Sequence, residues 1–277
     1  MEDEEESTQE RPHRAPRTLT AEEISKIASD EPVSAFKQNK LEAEARKNWD
    51  LFYKRNETNF FKDRHWTKAD LQQLCPDIDF QQRHVLFEAG CGVGNFLFPF
   101  LEEFPSWFAY ACDFSARAIE FVRQRADFDE QRCSAFVCDL TSEGPSVPME
   151  SVDLCTLIFV LSSIHPEKMG GVLAALLGVL KPGASVIVRD YGLYDHAMLR
   201  FAKGRKLQEA FYARQDGTRA YFFSVDKLIE TFAAAGFTAL SCEYLERTTS
   251  NRKEGTSVPR TFIQGRFQKP FSSPNPS

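Results

Sequence analysis

From Val85 to Tyr191 the chain alternates short apolar runs with stretches whose apolar residues recur at helical spacing. The runs beginning at Val85, Trp107 to Cys112, Cys133 to Cys138, Val152 to Phe159 and Ser185 to Tyr191 read as strands. Asn95 to Phe104, a segment starting between Ser115 and Arg117, and Pro166 to Leu180 read as helices between them. The run VDLCTLIF is apolar almost throughout, as a central parallel strand covered on both faces requires. Strands alternating with helices predict an α/β fold with a doubly wound parallel sheet. A further helix, Ser224 to Ala235, is closed by Gly236. Two more strands follow, Phe237 to Glu246 and Thr261 to Gln268, separated by the polar, basic loop TTSNRKEGTSVPR.

The N-terminal third is patterned differently. Residues 1–18 are charged and carry little apolar content, which predicts disorder. The TAEE pattern after Leu19 is a capping box that starts a short helix within Thr18 to Ile27. Ser34 to Arg55 carries Phe36, Leu41, Ala45, Trp49, Phe52 and Tyr53 on one stripe, predicting a single long helix. Trp49 and Tyr53 lie four residues apart on one face, suited to packing on the sheet domain or to closing over a ligand. Asn59 to Lys68, NFFKDRHWTK, crowds Phe60, Phe61, Arg64, His65 and Trp66 together. Such a mixture suits base stacking with phosphate binding, or equally a loop buried by its own aromatics. The predicted organisation is a disordered segment 1–18, a helical, aromatic and basic extension 19–83, an α/β domain 84–269 and a disordered tail 270–277.

Candidate chemistry concentrates at VLFEAGCGVG. A strand ending in Glu88 runs into Gly90, Gly92 and Gly94, so the backbone can turn sharply and approach a ligand closely. A dinucleotide fingerprint starting at Gly90 needs glycine at position 95, which is Asn95. The spacing E-x-G-x-G-x-G instead resembles the first motif of class I methyltransferases that use S-adenosylmethionine. Asp113, at the end of the second strand, is placed to accept hydrogen bonds from a ribose, the alternative being a cap for the helix that begins at Ser115 to Arg117. Asp139 and Leu140, after the third strand, suit an adenine, with a carboxylate for the exocyclic amine and an apolar cover for the ring.

Composition narrows the setting. At 277 residues, 42% apolar and 27% charged, the chain can bury a full core, and no apolar run reaches the length of a membrane span. The acidic N-terminus is unlike a secretory signal, which predicts a cytoplasmic protein that could also enter the nucleus. Seven cysteines without a C-x-x-C pair argue for core packing over disulfides or zinc, Cys91 included. No metal site is expected. The net charge of −6 conceals an asymmetry, because Phe36 to Lys68 holds nine basic residues against five carboxylates. A solvated face is the ordinary reading of such a cluster, and a polyanion surface the functional one.

The blocks FKQNKLEAEARKNWDLFYKRNETNFFKDRHW, FEAGCGVGN, YACDFS, CDLT, LIFVLSSIHP and RDYGLYDHAMLRF together resemble the tRNA N3-methylcytidine methyltransferases of the methyltransferase-like family, over about residues 34–270. The resemblance implies a Rossmann-like, seven-stranded class I fold with an N-terminal helical extension, and S-adenosylmethionine as cofactor. It implies cofactor contacts at Trp49, Tyr53, Gly90, Asp113, Asp139, Leu140 and Ile158, and favours the ligand-covering role for Trp49 and Tyr53. Methylation of cytidine 32 in the anticodon loop, serine tRNAs as substrates and seryl-tRNA synthetase as a partner are implied in the same way.

For that reaction Asp190 is expected to accept from the cytosine amine, with Tyr191 beside it. Phe60, Phe61 and Arg64 would form the opposite wall, and His196 is a weaker candidate. Lys203, Arg205, Lys206, Arg214 and the 247–260 loop are candidate phosphate contacts. A monomer is expected. The competing readings are a methyltransferase of small molecules or proteins, and a non-catalytic adaptor of tRNA or synthetase that kept the fold.

Overall fold

A computed structural model describes residues 11–57, 68–251 and 256–272. In chain order the elements are β1 (Arg11–His13), α1 (Ala21–Ala28), α2 (Ala35–Ala43), α3 (Ala45–Asn56), α4 (Lys68–Leu74), β2 (Val85–Ala89), α5 (Leu97–Glu103), β3 (Phe108–Asp113), α6 (Ala116–Gln124), β4 (Cys133–Val137) and β5 (Val152–Ile158). A 3₁₀ turn at Leu161–Ser163, α7 (Pro166–Val179), β6 (Leu180–Tyr191), α8 (His196–Leu199), β7 (Lys206–Gln208), β8 (Phe211–Ala213), β9 (Arg219–Tyr221), α9 (Val225–Ala234), β10 (Thr238–Asn251) and β11 (Thr256–Gln268) complete it.

The main sheet runs β1-β10-β11-β6-β5-β2-β3-β4. The pairs from β6 through β5, β2 and β3 to β4 are parallel, whereas β11 enters antiparallel beside β6. Alternation along the strands supplies both faces. Phe87, Cys155, Val186 and Phe267 face a layer with Leu173 and Leu176 of α7 and Leu228 and Phe232 of α9. Leu86, Ala109, Leu154 and Ile187 face the other side, with Leu97 and Leu101 of α5 and Ile119 and Val122 of α6. The order places the carboxyl ends of β2 and β5 side by side, where the chain reverses its direction of winding, and α/β sheets bind ligands at that point.

Three expectations need correction. Residues 11–18 are not without structure, because Arg11, Pro12 and His13 pair with Glu246, Leu245 and Tyr244 on an edge that backbone groups would otherwise leave open. The helix expected over Ser34 to Arg55 is two helices, broken at Glu44. Its stripe serves two surfaces: Leu41 packs beside Leu207 and Phe211, whereas Phe52 and Tyr53 pack on Val93 and Ala118. Phe36 serves neither and is 80% exposed. The terminal strands are also longer than expected, pairing from Thr238↔Gln268 out to Asn251↔Thr256, since a backbone ladder needs no apolar face to extend. The capping box, by contrast, forms as read, with Thr20 and Glu23 bonded reciprocally.

A second sheet, β7-β8-β9, was not anticipated. It packs Phe211 and Leu207 toward the N-terminal extension, and Tyr212, Ala220 and Phe222 toward Met198 of α8. The β8–β9 turn carries Gly217 at φ +82°, and Asn48 Nδ2 of α3 donates to its carbonyl at 3.2 Å. The extension and the small sheet therefore meet over the carboxyl edge of the main sheet.

Candidate active site

The glycine turn is fixed by β3. The amides of Gly90 and Cys91 both donate to Cys112 O, at 2.7 and 2.9 Å. Gly92 N donates to Asp113 Oδ2 at 3.0 Å, and Asp113 Oδ1 accepts from Ser115 N at 2.9 Å. Gly90 and Gly92 sit at φ +73° and +55°, in the left-handed region that side chains disfavour. A Cβ on Gly92 would lie 3.0 Å from the Tyr53 hydroxyl, so the tyrosine rests directly on the turn. Burial pushes the Asp113 carboxyl up to about 6, against the lowering effect of the amides it accepts from. Cys91 is buried, and burial with the nearby Glu88 and Asp113 carboxylates raises its thiol far above the ordinary range; it is a filler.

Helix α3 lies across this turn. Ser115 Oγ donates to Asp50 at 2.5 Å, and Arg46 reaches Asp139 at 3.4 Å. Just ahead of α3, at the end of α2, Glu42 pairs with Lys168 at 2.6 Å and with the buried Arg219. Burial by itself would raise the Glu42 carboxyl, but the hydrogen bonds from Lys168 and Arg219 outweigh it and hold the group below its usual range. Arg219 also donates to Ser163 O at 3.2 Å, tying β9 to the 3₁₀ turn after β5.

Two adjoining cavities result, of about 430 and 350 Å³. Trp49, Tyr53, Gly90, Phe159, Ser163 and Arg219 border both. Asp113, Phe114, Asp139 and Leu140 complete the first, and Glu88, Gly92, Ile158 and Tyr191 contribute to the second. The first offers carboxylates beside apolar walls, the acceptors that ribose hydroxyls and an adenine amine need. The second begins at bare glycine backbone beside a carboxylate. One elongated ligand with a nucleoside end and an amino-acid end fits this pair. Tyr53 packs with Phe52, Val93 and Ala118, Trp49 packs against that cluster, and both side chains also line the two cavities. Among the described residues no group of three His, Cys, Asp or Glu side chains could hold a metal.

Tyr191, which lines the second cavity, stands 4.9 Å from the ring of Phe159, which itself meets Phe262 at 5.6 Å. Phe159 holds φ +58°, an unfavourable geometry for an aromatic residue, at the junction of both cavities. The structure changes the expected role of Asp190. It is fully buried, lines neither cavity, and accepts from Ser162 N and Tyr191 N, each at 2.9 Å. Burial lifts its carboxyl to about 6, against those donors. Asp190 thus holds Tyr191 and the 3₁₀ turn in place from beneath.

Other expected residues are redistributed. Arg214, expected on an open surface, lines the second cavity with its guanidinium 5.4 Å from the Tyr191 ring. Lys206 is buried rather than open to phosphate, and pairs with Glu209 at 3.3 Å. His196 is the first residue of α8, capped by Asp195, and lines neither cavity. Phe60, Phe61, Arg64, His65 and Trp66 lie outside the described residues.

Glu42, Lys168, Arg214, Asp216, Thr218 and Arg219 were missed as cavity residues. The signal for the last four was present: FYARQDGTRAYF holds an Asp-Gly turn between alternating aromatic segments, a hairpin pattern.

A family profile described as a methyltransferase domain matches residues 87–186. The chain is 57% identical over 264 residues to the human tRNA N(3)-cytidine methyltransferase METTL6, covering 94% of this chain and 93% of that protein. It is 40% identical over 250 residues to the Drosophila melanogaster tRNA N(3)-methylcytidine methyltransferase Mettl2, covering 88% and 77%. Among solved structures, a SAM-dependent methyltransferase from Anabaena variabilis superposes with a TM-score of 0.59 at 15% identity, over 81% of this chain and 94% of that one. That last likeness concerns the fold.

Proposed function

Because this chain belongs to the tRNA N(3)-cytidine methyltransferase family, we propose that it methylates N3 of a cytidine in tRNA at the cavity pair beneath α3. The single observation that carries this reading is the junction of the two cavities at Gly90 and Phe159, where a nucleoside compartment opens onto an aromatic compartment walled by Tyr191. When bound, S-adenosylmethionine supplies an electrophilic methyl group on a sulfonium. Asp113, Asp139 and Leu140 would hold its adenosine, and Glu88 with the backbone of Gly90 and Gly92 its amino-acid end.

Cytosine N3 carries a free lone pair, so no base has to remove a proton from it. The residues of the second cavity have to align that lone pair and exclude water. Tyr191 and Phe159 offer a stacking surface for a base drawn out of an anticodon loop, where unstacking costs less than in a duplex. Asp190 positions Tyr191 by accepting from its amide. The Glu42–Arg219 contact holds α2, and the Asp50–Ser115 contact holds α3, over the cavities.

The finer substrate reading is cytidine 32 of serine tRNAs. Seryl-tRNA synthetase would be the partner, and a cytoplasmic monomer, also nuclear, the setting. It rests on the resemblance carried by the blocks FKQNKLEAEARKNWDLFYKRNETNFFKDRHW and RDYGLYDHAMLRF. Labelled S-adenosylmethionine incubated with the protein and total tRNA, followed by nucleoside mapping, tests the function. Label on cytidine N3 is expected, and label confined to protein or small molecules would refute it. Binding should weaken steeply with salt as phosphate contacts are screened.

A further inference from the structure

Methylation at N3 turns a neutral cytosine into a cation. The bond formed joins N3 to the methyl carbon, the bond broken is carbon to sulfur, and its electron pair stays on sulfur. The positive charge therefore moves onto the base, spread toward its exocyclic amine, and no proton leaves N3. A site that accelerates this step needs an anion facing that edge, fixed beforehand and shielded from water.

The second cavity is poorly provided with such anions. Arg214 and Arg219 both line it and oppose a growing cation. Asp190 is sealed below, with its oxygens committed to Ser162 N and Tyr191 N. Among the described lining residues the carboxylates are Glu88, two residues before Gly90 of the glycine turn, and Asp216, which lines the cavity together with Arg214 and Thr218. Asp216 belongs to the β8–β9 turn. Its Oδ1 accepts from Thr218 N at 3.0 Å and Thr218 Oγ1 at 2.7 Å, which fixes the carboxylate plane. Asn48 holds the same turn from α3 through Gly217 O. No hydrogen bond or ion pair engages Asp216 Oδ2 among the described residues.

We infer that Asp216 is the carboxylate that receives the exocyclic amine of the target cytosine through Oδ2 and stabilises the charge the ring gains on methylation. The inference rests on the proposed function and deepens it. It also assigns a basis for choosing cytosine over uracil, since uracil presents a carbonyl oxygen where cytosine presents an amine, and two acceptors repel.

Asp216→Asn separates this role from that of the turn, because the amide oxygen can still accept from Thr218 while the second position becomes a donor. Methyl transfer to tRNA is measured in an extract that lacks the endogenous enzyme but supplies any partner, with the product nucleoside mapped. The variant should lose about 100-fold in kcat, with affinity for S-adenosylmethionine and melting temperature near those of the wild type. A transcript carrying uridine at the target position should inhibit the variant more strongly than the wild type, a change that a structural turn residue would not cause. Asp216→Glu, which keeps the charge, should retain more activity than Asp216→Asn.

Activity of Asp216→Asn within about threefold of wild type, an unchanged response to the uridine transcript, or Asn surpassing Glu would overturn the assignment. If wild-type label falls somewhere other than cytidine N3, the proposed function fails and the inference with it. If wild-type label falls on N3 and the variants behave as wild type, the inference alone fails.

Discussion

Replacing Gly90 with alanine tests whether the glycine turn is set by the contact at its back. The backbone there sits at φ +73°, and the new Cβ would lie 2.5 Å from Val160 Cγ2 and 2.9 Å from Cγ1. The left-handed conformation costs an alanine about 1–2 kcal/mol, and forcing a methyl against two others adds about 1–3 kcal/mol. Gly90→Ala should therefore destabilise the protein by about 2–5 kcal/mol, at roughly 2–4 °C of melting temperature per kcal/mol for a domain of this size. Val160 is half-buried, so Val160→Ala alone should cost only about 1 kcal/mol.

Combined, the two changes remove both contacts under 3.0 Å but leave the Cβ of residue 160 at 3.3 Å and the backbone strain. The double variant should be more stable than additivity predicts by about 1–3 kcal/mol. Denaturant melts of the four proteins measure this coupling directly, and S-adenosylmethionine titrations of the same set show whether the cavity recovers with it. Additive effects would refute the packing argument. A Gly90→Ala protein within about 0.5 kcal/mol of wild type would refute both parts.

Asp190→Ala should lower methyl transfer sharply while leaving cofactor affinity nearly unchanged, because the residue supports Tyr191 and Ser162 and lines neither cavity; equal loss of both, or intact transfer, would sink that role. Asp113, lifted to about 6 against an ordinary 3.8, is ionised only above that range. Affinity for S-adenosylmethionine, followed by titration calorimetry from pH 5 to 8, should rise through pH 6 and level off; a flat profile would exclude Asp113 as the ribose acceptor. For the ligand-free protein the sign is opposite. A carboxyl raised in the folded state takes up protons more readily than in the unfolded chain, so its contribution improves as pH falls from about 6 toward 4, by up to about 3 kcal/mol. Glu42 is lowered in the folded state, so its stabilisation is complete above its ordinary 4.5 and fades as pH drops below. Glu42→Gln should release α2 and α3, seen as faster amide exchange over residues 35–56 and faster cofactor exchange; unchanged rates would argue against a latch.

The alternation of apolar runs with helical periodicity was enough to read the parallel sheet, because strand and helix patterns are local and each core position serves one face. Gly90, Asp113, Asp139 and Leu140 were legible as cavity-lining positions for the same reason: a loop that follows a strand sits at fixed spacing from the strand's end. What the chain order could not convey is which distant segments share a wall. Glu42 meets Arg219 across 177 residues, and Asp216 reaches the second cavity only because Asn48 and Thr218 fix its turn.

Asp190 shows the limit from the other direction. Its position at the end of β6 suggested a substrate contact, but the parity of a strand and the placement of the 3₁₀ turn aimed it at buried amides. Local pattern thus determined the sheet and the half of the site formed by successive strand ends. The acceptor half is built where an extension, a small sheet and a turn converge, and only tertiary packing decides which charges face one another there.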